Sequence, residues 1–598
     1  MRAVATHSCG PQVRRRALRV LPAIAAIGLA ACAGAQRVPD RSHGATEAAV
    51  HDSLEVTAHC VGGIRGEQVL SFGLPFPRGR LTDATRVRIV SAQGSDVAAD
   101  AQELARWRHL TDSARDGTSI RSVLVTFRHD CGTAERATYR VHWSERRSAP
   151  GGHGVSPSNV ASRWKPMPPP GSDEHPATDN YGVDRAAASV LEPQAWVTLP
   201  ADWLLASELR GPARRISDID LRTYLFGFGR SAVNDFPVDP STGNGRDPGR
   251  RIIDWANDFE GWLFDRPYAL WNLYAQSGEL KWLRHAHRAS QYYASWIAGD
   301  TDASGYPRGA FRKRPPTGSG GRGDPKYSHS GGLLAAYLLT GDARLLQTIR
   351  NIEAFTSRMS TRLPPVQQPS AFWTERHVAV ALAGALHAFE ATGDAAARNR
   401  VRQIVAGLRD DLRNPPAGYP ADMRGVLLHT AQAHEGEGAS GWLMSPWMSA
   451  LLAEKIWQYY VLSDDRFALE FLSNYAQFVA EHALYQAKES ERSEPAWYPA
   501  YLAGFDLDRN HASPRNDREH AYDVLGLLVR GRWARAQLGQ STTLIDERIP
   551  ALRTLAMRNF SLHAGIVRGR APQFRLAPLR KFNWWFGTTG DLEWFDVR

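Results

Sequence analysis

From about Trp262 to Asn559 apolar residues recur at three- and four-residue intervals, and this period predicts about ten amphipathic helices. Among them are Arg266–Gln276, Lys281–Ile297, Ser330–Leu339, Ala343–Ser360, Phe372–Ala391, Ala395–Leu412, Trp442–Leu462, Arg466–Glu489 and Arg518–Leu538. Four aromatic helical segments end alike: Tyr274-Ala-Gln-Ser-Gly-Glu279, Tyr337-Leu-Leu-Thr-Gly-Asp342, Phe389-Glu-Ala-Thr-Gly-Asp394 and Tyr460-Val-Leu-Ser-Asp-Asp465. A glycine past a helix end adopts the left-handed conformation at low cost, and the acid after it accepts N–H groups that open the next helix. Each stop therefore predicts a helical-hairpin turn. Pairs spaced by 63, 52 and 70 residues leave room for long loops at their other ends. Twelve such helices would close into an (α/α)6 toroid with a cleft at one end.

Before the helices the period is two. Leu54–Ala58, Val87–Val90, Ser122–Phe127 and Thr138–Trp143 read as strands between Gly, Asp and Pro turns, so 53–147 is expected to be a sandwich- or barrel-like β domain. A Pro/Gly/Ser-rich stretch follows from Ser148, and 148–245 is taken as linker with further β segments, Gln194–Leu199 and Thr223–Phe228. The expected class is therefore multidomain α+β. The toroid occupies 246–560, and the aromatic segment 561–598, with Phe582-Asn-Trp-Trp-Phe586, reads as a short β cap or tail.

Residues 1–31 stand apart. Arg14, Arg15, Arg16 and Arg19 lead into an apolar run from Ala17 to Ala31, too short to span a bilayer, which ends in Leu29-Ala30-Ala31-Cys32. This tetrapeptide resembles a bacterial lipobox and implies export, a lipid on Cys32, a membrane anchor, a tether over 32–52 and residence at the cell envelope. An ordinary secretory signal is the alternative. Cys60 and Cys131 are then the pair left in the exported part. A disulfide is the simplest state in an oxidising compartment, and two buried thiols are the other; no zinc spacing is present, so no metal site is expected.

The chain of 598 residues carries a net charge of +10, but its first 31 residues hold five arginines and no acid, so the rest is near +5. That argues against a nucleic-acid partner. The excess is local: Arg312–Lys326 is a Gly/Pro-rich basic loop, either a solvated surface loop or a lid that attracts an acidic polymer.

Leu70-Ser-Phe-Gly-Leu-Pro-Phe-Pro-Arg-Gly-Arg80 and Asp116-Gly-Thr-Ser-Ile-Arg121, followed by Trp262-Leu-Phe-Asp-Arg266 and Tyr327-Ser-His-Ser-Gly-Gly-Leu-Leu334, are similar to the exo-rhamnogalacturonan lyase-like family. In that family a "G-x-P-F-P-x-G" strand and a "D-G-S-x-R" strand precede a helical toroid. The resemblance covers roughly residues 55–540 and implies a carbohydrate-active enzyme, with lyases its best-known members. Thr118 is an extra residue in the second strand motif, and 145–190 fit no family pattern.

A polysaccharide lyase needs a group to neutralise a uronate carboxylate, a base, and an acid near the leaving oxygen. Tyr327 and His329, after the basic loop, supply one catalytic pair, and Glu375 with His377 a second, in Trp373-Thr-Glu-Arg-His377. Consecutive residues on a helix fan by about 100°, so at most two of Glu375, Arg376 and His377 can face one cleft. Expected substrate contacts are Arg266, Trp271, Trp373, Arg376, His434, Trp442, Arg518, His520 and Tyr522; indole faces stack on sugar rings and arginines meet acids. Each residue has a structural alternative, as core, cap or salt link. A hydrolase would instead need two carboxylates, for which Asp258, Glu260, Asp265, Glu375, Glu435 and Glu437 are candidates. No cofactor is expected, although the carboxylates are compatible with a divalent cation such as calcium.

The preferred reading is a lyase acting on an acidic polysaccharide, because tyrosines and histidines fall beside arginines. A glycoside hydrolase, a non-catalytic carbohydrate-binding lipoprotein and a surface scaffold are the alternatives.

Overall fold

The computed structural model describes residues 52–132, 134–144, 155–168, 170, 190–209, 211–218, 259–300, 305–312, 323–363, 374–420, 425–430, 442–504, 513–565, 573–574 and 580–596. Among these residues eight strands lie ahead of the helices: β1 (Ser53–Cys60), β2 (Glu67–Pro75), β3 (Arg88–Ser91), β4 (Asp96–Val97), β5 (Ala99–Arg106), β6 (Ile120–Asp130), β7 (Arg136–His142) and β8 (Ala195–Thr198). They form two antiparallel sheets, ordered β4-β3-β7-β1-β8 and β2-β6-β5. β8 reaches back across the Pro-rich stretch to pair with β1, Thr57 opposite Thr198. A disulfide joins Cys60, at the end of β1, to Cys131, just past β6, so it ties one sheet to the other.

β6 is buried on both faces, which its run Ile120-Arg-Ser-Val-Leu-Val-Thr-Phe127 suits. On one face Phe127 meets Tyr139 of β7, with ring centroids 4.8 Å apart. On the other face Ser122 and Leu124 turn toward the helices.

The helices are α1 (Ala201–Ala206), α2 (Arg266–Ser277), α3 (Leu280–Ser295), α4 (Gly331–Thr340), α5 (Arg344–Thr356), α6 (Glu375–Thr392), α7 (Ala395–Arg413), α8 (Pro446–Ser463), α9 (Arg466–His482), α10 (Ala521–Gln537), α11 (Thr543–His563), α12 (Arg580–Thr588) and α13 (Leu592–Asp596), with a single turn at Pro514–Asp517. Among the described residues α2, α4, α6, α8, α10 and α12 pack in succession, and α12 returns to α2, closing an inner ring of six. The others, apart from α1, pack outside that ring, as in an (α/α)6-type toroid. The C-terminal segment is a correction. Phe582 to Phe586 is helical, not strand-like, and supplies the sixth inner helix, with all five side chains buried. Among the described residues of 564–579, two short strands, Ala564–Gly565 and Gln573–Phe574, precede it.

The four predicted turns lie at one end of the ring. Gly278, Gly341 and Gly393 have φ near +70°, and Asp464 takes the same left-handed conformation at +52°. Their N–H groups bond the carbonyls of Tyr274, Tyr337, Phe389 and Tyr460. The sheets cover this end. Gly341 lies against Leu124, Gly393 against Arg108, and Gly278 against the backbone of Leu199. Asp464 is the non-glycine among them; its carboxylate meets Arg115 and lies 3.4 Å from His109 Nε2. Asp116 pairs with Arg398 of α7. Ser122 Oγ donates to Leu338 O at 2.6 Å, and Tyr337 OH donates to Leu104 O at 2.6 Å. The sheets and the ring belong to one compact unit.

Candidate functional site

With one end of the ring covered, the inner helices present their N-termini at the other, around a front chamber of roughly 90 Å³. Asp265 organises its rim. One carboxylate oxygen caps α2 by accepting from Tyr268 N (3.0 Å), and the other accepts from Gly332 N of α4 (2.9 Å). A Cβ on Gly332 would lie 2.5 Å from Tyr268 N, so glycine is what lets the two helix starts meet. The Gly331-Gly332 pair beside His329 thus serves helix packing.

His329 leaves this turn toward the chamber. Its backbone N–H donates to Tyr293 OH (2.6 Å), which donates in turn to Tyr327 O (2.7 Å). Its Nε2 lies 3.2 Å from Leu263 O. A carbonyl only accepts, so Nε2 carries the hydrogen and Nδ1 of the neutral ring keeps a lone pair. Burial, opposed by Asp265 and reinforced by the nearby Arg376, holds the imidazole below its usual pKa, so it is neutral at pH 7.

Arg376 reaches the same carbonyl, its Nη2 3.4 Å from Leu263 O. Its guanidinium lies 5.2 Å from the centre of the Phe264 ring and 5.8 Å from that of Trp447, and Phe264 stacks on Trp584. The side chain is 8% exposed and makes no ion pair with a described residue. Burial pulls its pKa down to about 10. A cation this desolvated, with aromatic walls and one weak hydrogen bond, is a ready receptor for an anion.

Deeper in the ring stand Tyr268, His387 and Glu454. His387 lies about 16 Å further along α6 than Arg376, at 1.5 Å per residue. Its Nδ1 is 2.9 Å from Ser330 Oγ. Tyr268 OH donates to Glu454 Oε1 (3.2 Å), which also accepts from Lys455 Nζ (3.0 Å) and Gln458 Nε2 (3.1 Å).

Of the expected site residues, His329 and Arg376 meet in the chamber. Tyr327 is beside it but packed, stacked parallel on Phe311. Glu375 and His377 do not line it. Glu375 is fully buried on another side of α6, 3.6 Å from His429 Nδ1, and His377 Nδ1 bonds Thr374 Oγ1 at 2.7 Å. Only Arg376 of the three faces inward, as the 100° fan allows. Trp271 is core, its Nε1 donating to Ser290 Oγ, and Arg266 is buried at the start of α2 without lining the chamber. Trp442 packs on Tyr419, Arg518 pairs with Glu489, and Tyr522 OH donates to Glu593. His520 stacks on Trp447 near the mouth, at 5.4 Å. Cys32, Trp373, His434, Asp258, Glu435 and Glu437 lie outside the described residues. Cys60 and Cys131 are spent on their disulfide, although with His129 they make a set of metal-ligating type.

Sequence reasoning missed Tyr268, His387, Glu454 and Lys455. Glu454 carried a signal: with Lys455 it interrupts the apolar run Leu451-Leu-Ala-Glu-Lys-Ile456, and an acid on the inward side of such a helix requires partners.

No family model and no curated protein matches the sequence. Similar solved structures include an unsaturated glucuronyl hydrolase specific for heparin, at 12% identity over 63% of this chain and 97% of that chain, with a TM-score of 0.39. A family 76 glycoside hydrolase from a bovine Bacteroides thetaiotaomicron strain is 10% identical over 91% of this chain and 97% of its own, with a TM-score of 0.37. A polysaccharide lyase is 10% identical over 57% and 92%, with a TM-score of 0.34. The site is accordingly read from its own residues.

Proposed function

We propose that this chain is a carbohydrate-active enzyme, a polysaccharide lyase that cleaves a uronate-containing acidic polysaccharide by β-elimination in the front chamber. The observation that carries the reading is the meeting of a neutral His329 and a buried Arg376, which makes no ion pair with a described residue, on one carbonyl oxygen. Arg376 holds the uronate carboxylate and stabilises the negative charge that builds on it. His329 Nδ1 removes the proton beside that carboxylate. The electrons of the broken C–H bond form a C=C bond and expel the 4-linked oxygen, to which Tyr268 OH delivers its proton. Glu454 and Lys455 hold the phenol and steady the charge left on it. Because Arg376 and Lys455 supply the positive charge, turnover is expected to survive chelation of divalent metals.

Purified protein mixed with a panel of uronate polysaccharides should develop the absorbance of unsaturated uronate. His329→Ala and Arg376→Gln should each lower the rate about 100-fold or more with the fold intact, the usual scale for losing a general base or a charge-stabilising donor. Reducing ends without that absorbance would overturn the lyase in favour of a hydrolase using Asp265 and Glu454, the carboxylates bordering the chamber. Binding without any product would leave a non-catalytic carbohydrate receptor. We also propose export with a lipid on Cys32; Cys32→Ala should move the protein from the membrane to the soluble fraction.

A further inference from the structure

α12 supplies one wall of the front chamber, and a polar group on that wall has no role in the proposed reaction. Asn583 and Gly587 stand four residues apart, on one side of the helix, and both line the chamber. A Cβ on Gly587 would lie 3.4 Å from Tyr268 Cδ1, so this side of α12 faces the phenol ring of the proposed acid. Asn583 is 1% exposed. Its Nδ2 donates to Gly261 O at 2.7 Å, and because a carbonyl only accepts, this bond fixes which end of the amide is nitrogen. Oδ1 is the other end, buried and without a hydrogen-bond partner among the described residues. A buried acceptor left unpaired is costly and calls for an explanation. Its position supplies one. Gly261 lies two residues before Leu263, whose carbonyl receives both His329 and Arg376. Two residues of chain span at most about 7 Å, so the Asn583 amide is pinned to the same short segment as the proposed base and the carboxylate receptor.

We propose that Asn583 is a specificity-determining residue: its Oδ1 accepts a hydrogen bond from a ring hydroxyl of the sugar whose carboxylate Arg376 holds. This rests on the reading of the front chamber as a uronate site and adds to it the group that reads the sugar. In a pyranuronate the hydroxyls and the carboxylate share one six-membered ring, which suits a cation and an acceptor held on one segment. An amide oxygen accepts and cannot donate, so it pairs with a hydroxyl and with nothing on a ring that lacks one. A site built to pair a hydroxyl rejects the analogue without it, because the buried oxygen then stays unpaired.

The test is an NMR titration of the protein with the methyl glycosides of glucuronate, galacturonate and mannuronate, and with cyclohexanecarboxylate, which has the ring and the charge but no hydroxyl. Arg376→Gln should weaken all four, as expected of ligands whose carboxylate it holds. Asn583→Ala should weaken the preferred uronate about tenfold, the scale of one neutral hydrogen bond, and leave cyclohexanecarboxylate unchanged. Equal weakening of the two, which a purely structural asparagine would give, overturns the proposal. So does a wild type that binds cyclohexanecarboxylate as tightly as its best uronate, or that binds no uronate. Should Asn583→Ala fail to fold, Asn583→Leu, which keeps the volume and drops the acceptor, takes its place. The expected pattern of binding without elimination would overturn the lyase and leave the assignment of Asn583 standing. Elimination with equal weakening would do the reverse.

Discussion

At the scale of single residues the molecule buries ionisable side chains, and the cost of one can be measured. Asp523, in the first turn of α10, is 1% exposed, and His520 Nδ1 lies 3.8 Å from its carboxylate. Burial lifts its carboxyl to about 6. The folded protein thus holds this proton more tightly than the unfolded chain, where an aspartate titrates near 3.9. Its contribution to stability is present below about pH 4 and lost as pH rises through about 6. Asp523→Asn should therefore be more stable than wild type by about 3 kcal/mol at pH 7 and by less than about 1 kcal/mol at pH 4, by linkage. Denaturant titrations at the two pH values check this; equal effects at both would refute it. The residues legible from sequence were those with flanking punctuation. His329 sits between a Gly-rich basic loop and two glycines, and Arg376 lies in the polar cluster Trp373-Thr-Glu-Arg-His377. Tyr268, His387 and Glu454 lie inside helical runs, where a polar residue reads as either solvent face or lumen. Only the direction of the helix in the ring separates the two.

At the scale of elements the helix stops do two jobs. They turn the chain, and they present small or specifically charged surfaces to the sheets. Asp464 shows the difference: glycine would turn more cheaply, but aspartate brings a carboxylate to Arg115 and His109. Gly73 of β2 is the matching feature on the other side. A Cβ there would lie 2.0 Å from Leu338 O at the end of α4. Gly73→Ala should destabilise by about 1–3 kcal/mol, the range for overpacking a close contact, and a shift in the thermal midpoint would measure it. An unchanged midpoint would mean that the sheets do not seat this tightly. The glycine of the strand motif is thereby explained by docking, and the arginine ending the second motif, Arg121, by its reach to Glu390. α12 was misread because Phe582-Asn-Trp-Trp-Phe586 has the composition of a strand; burial on all sides between α2 and α10 overrides that preference.

At the scale of the whole molecule the two sheets, the covered end of the ring and the open end form one functional arrangement. The Cys60–Cys131 bridge closes a 71-residue loop that contains β2 to β6. Replacing both cysteines with serine should cost about 4 kcal/mol by the loop-entropy estimate. Urea unfolding would register it, and a loss under 1 kcal/mol would contradict it. The sequence by itself determined the helical hairpins, the strand period ahead of them, and which ends of the hairpins are tight. Capping and alternation are local, and a few neighbouring residues dictate them. What only the tertiary structure decided is the closure of six inner helices, the covering of the tight ends by the sheets, and the meeting of His329 with Arg376 on Leu263. These depend on which side of each helix looks into the lumen and on contacts between residues as far apart as Arg121 and Glu390, and no local pattern encodes either.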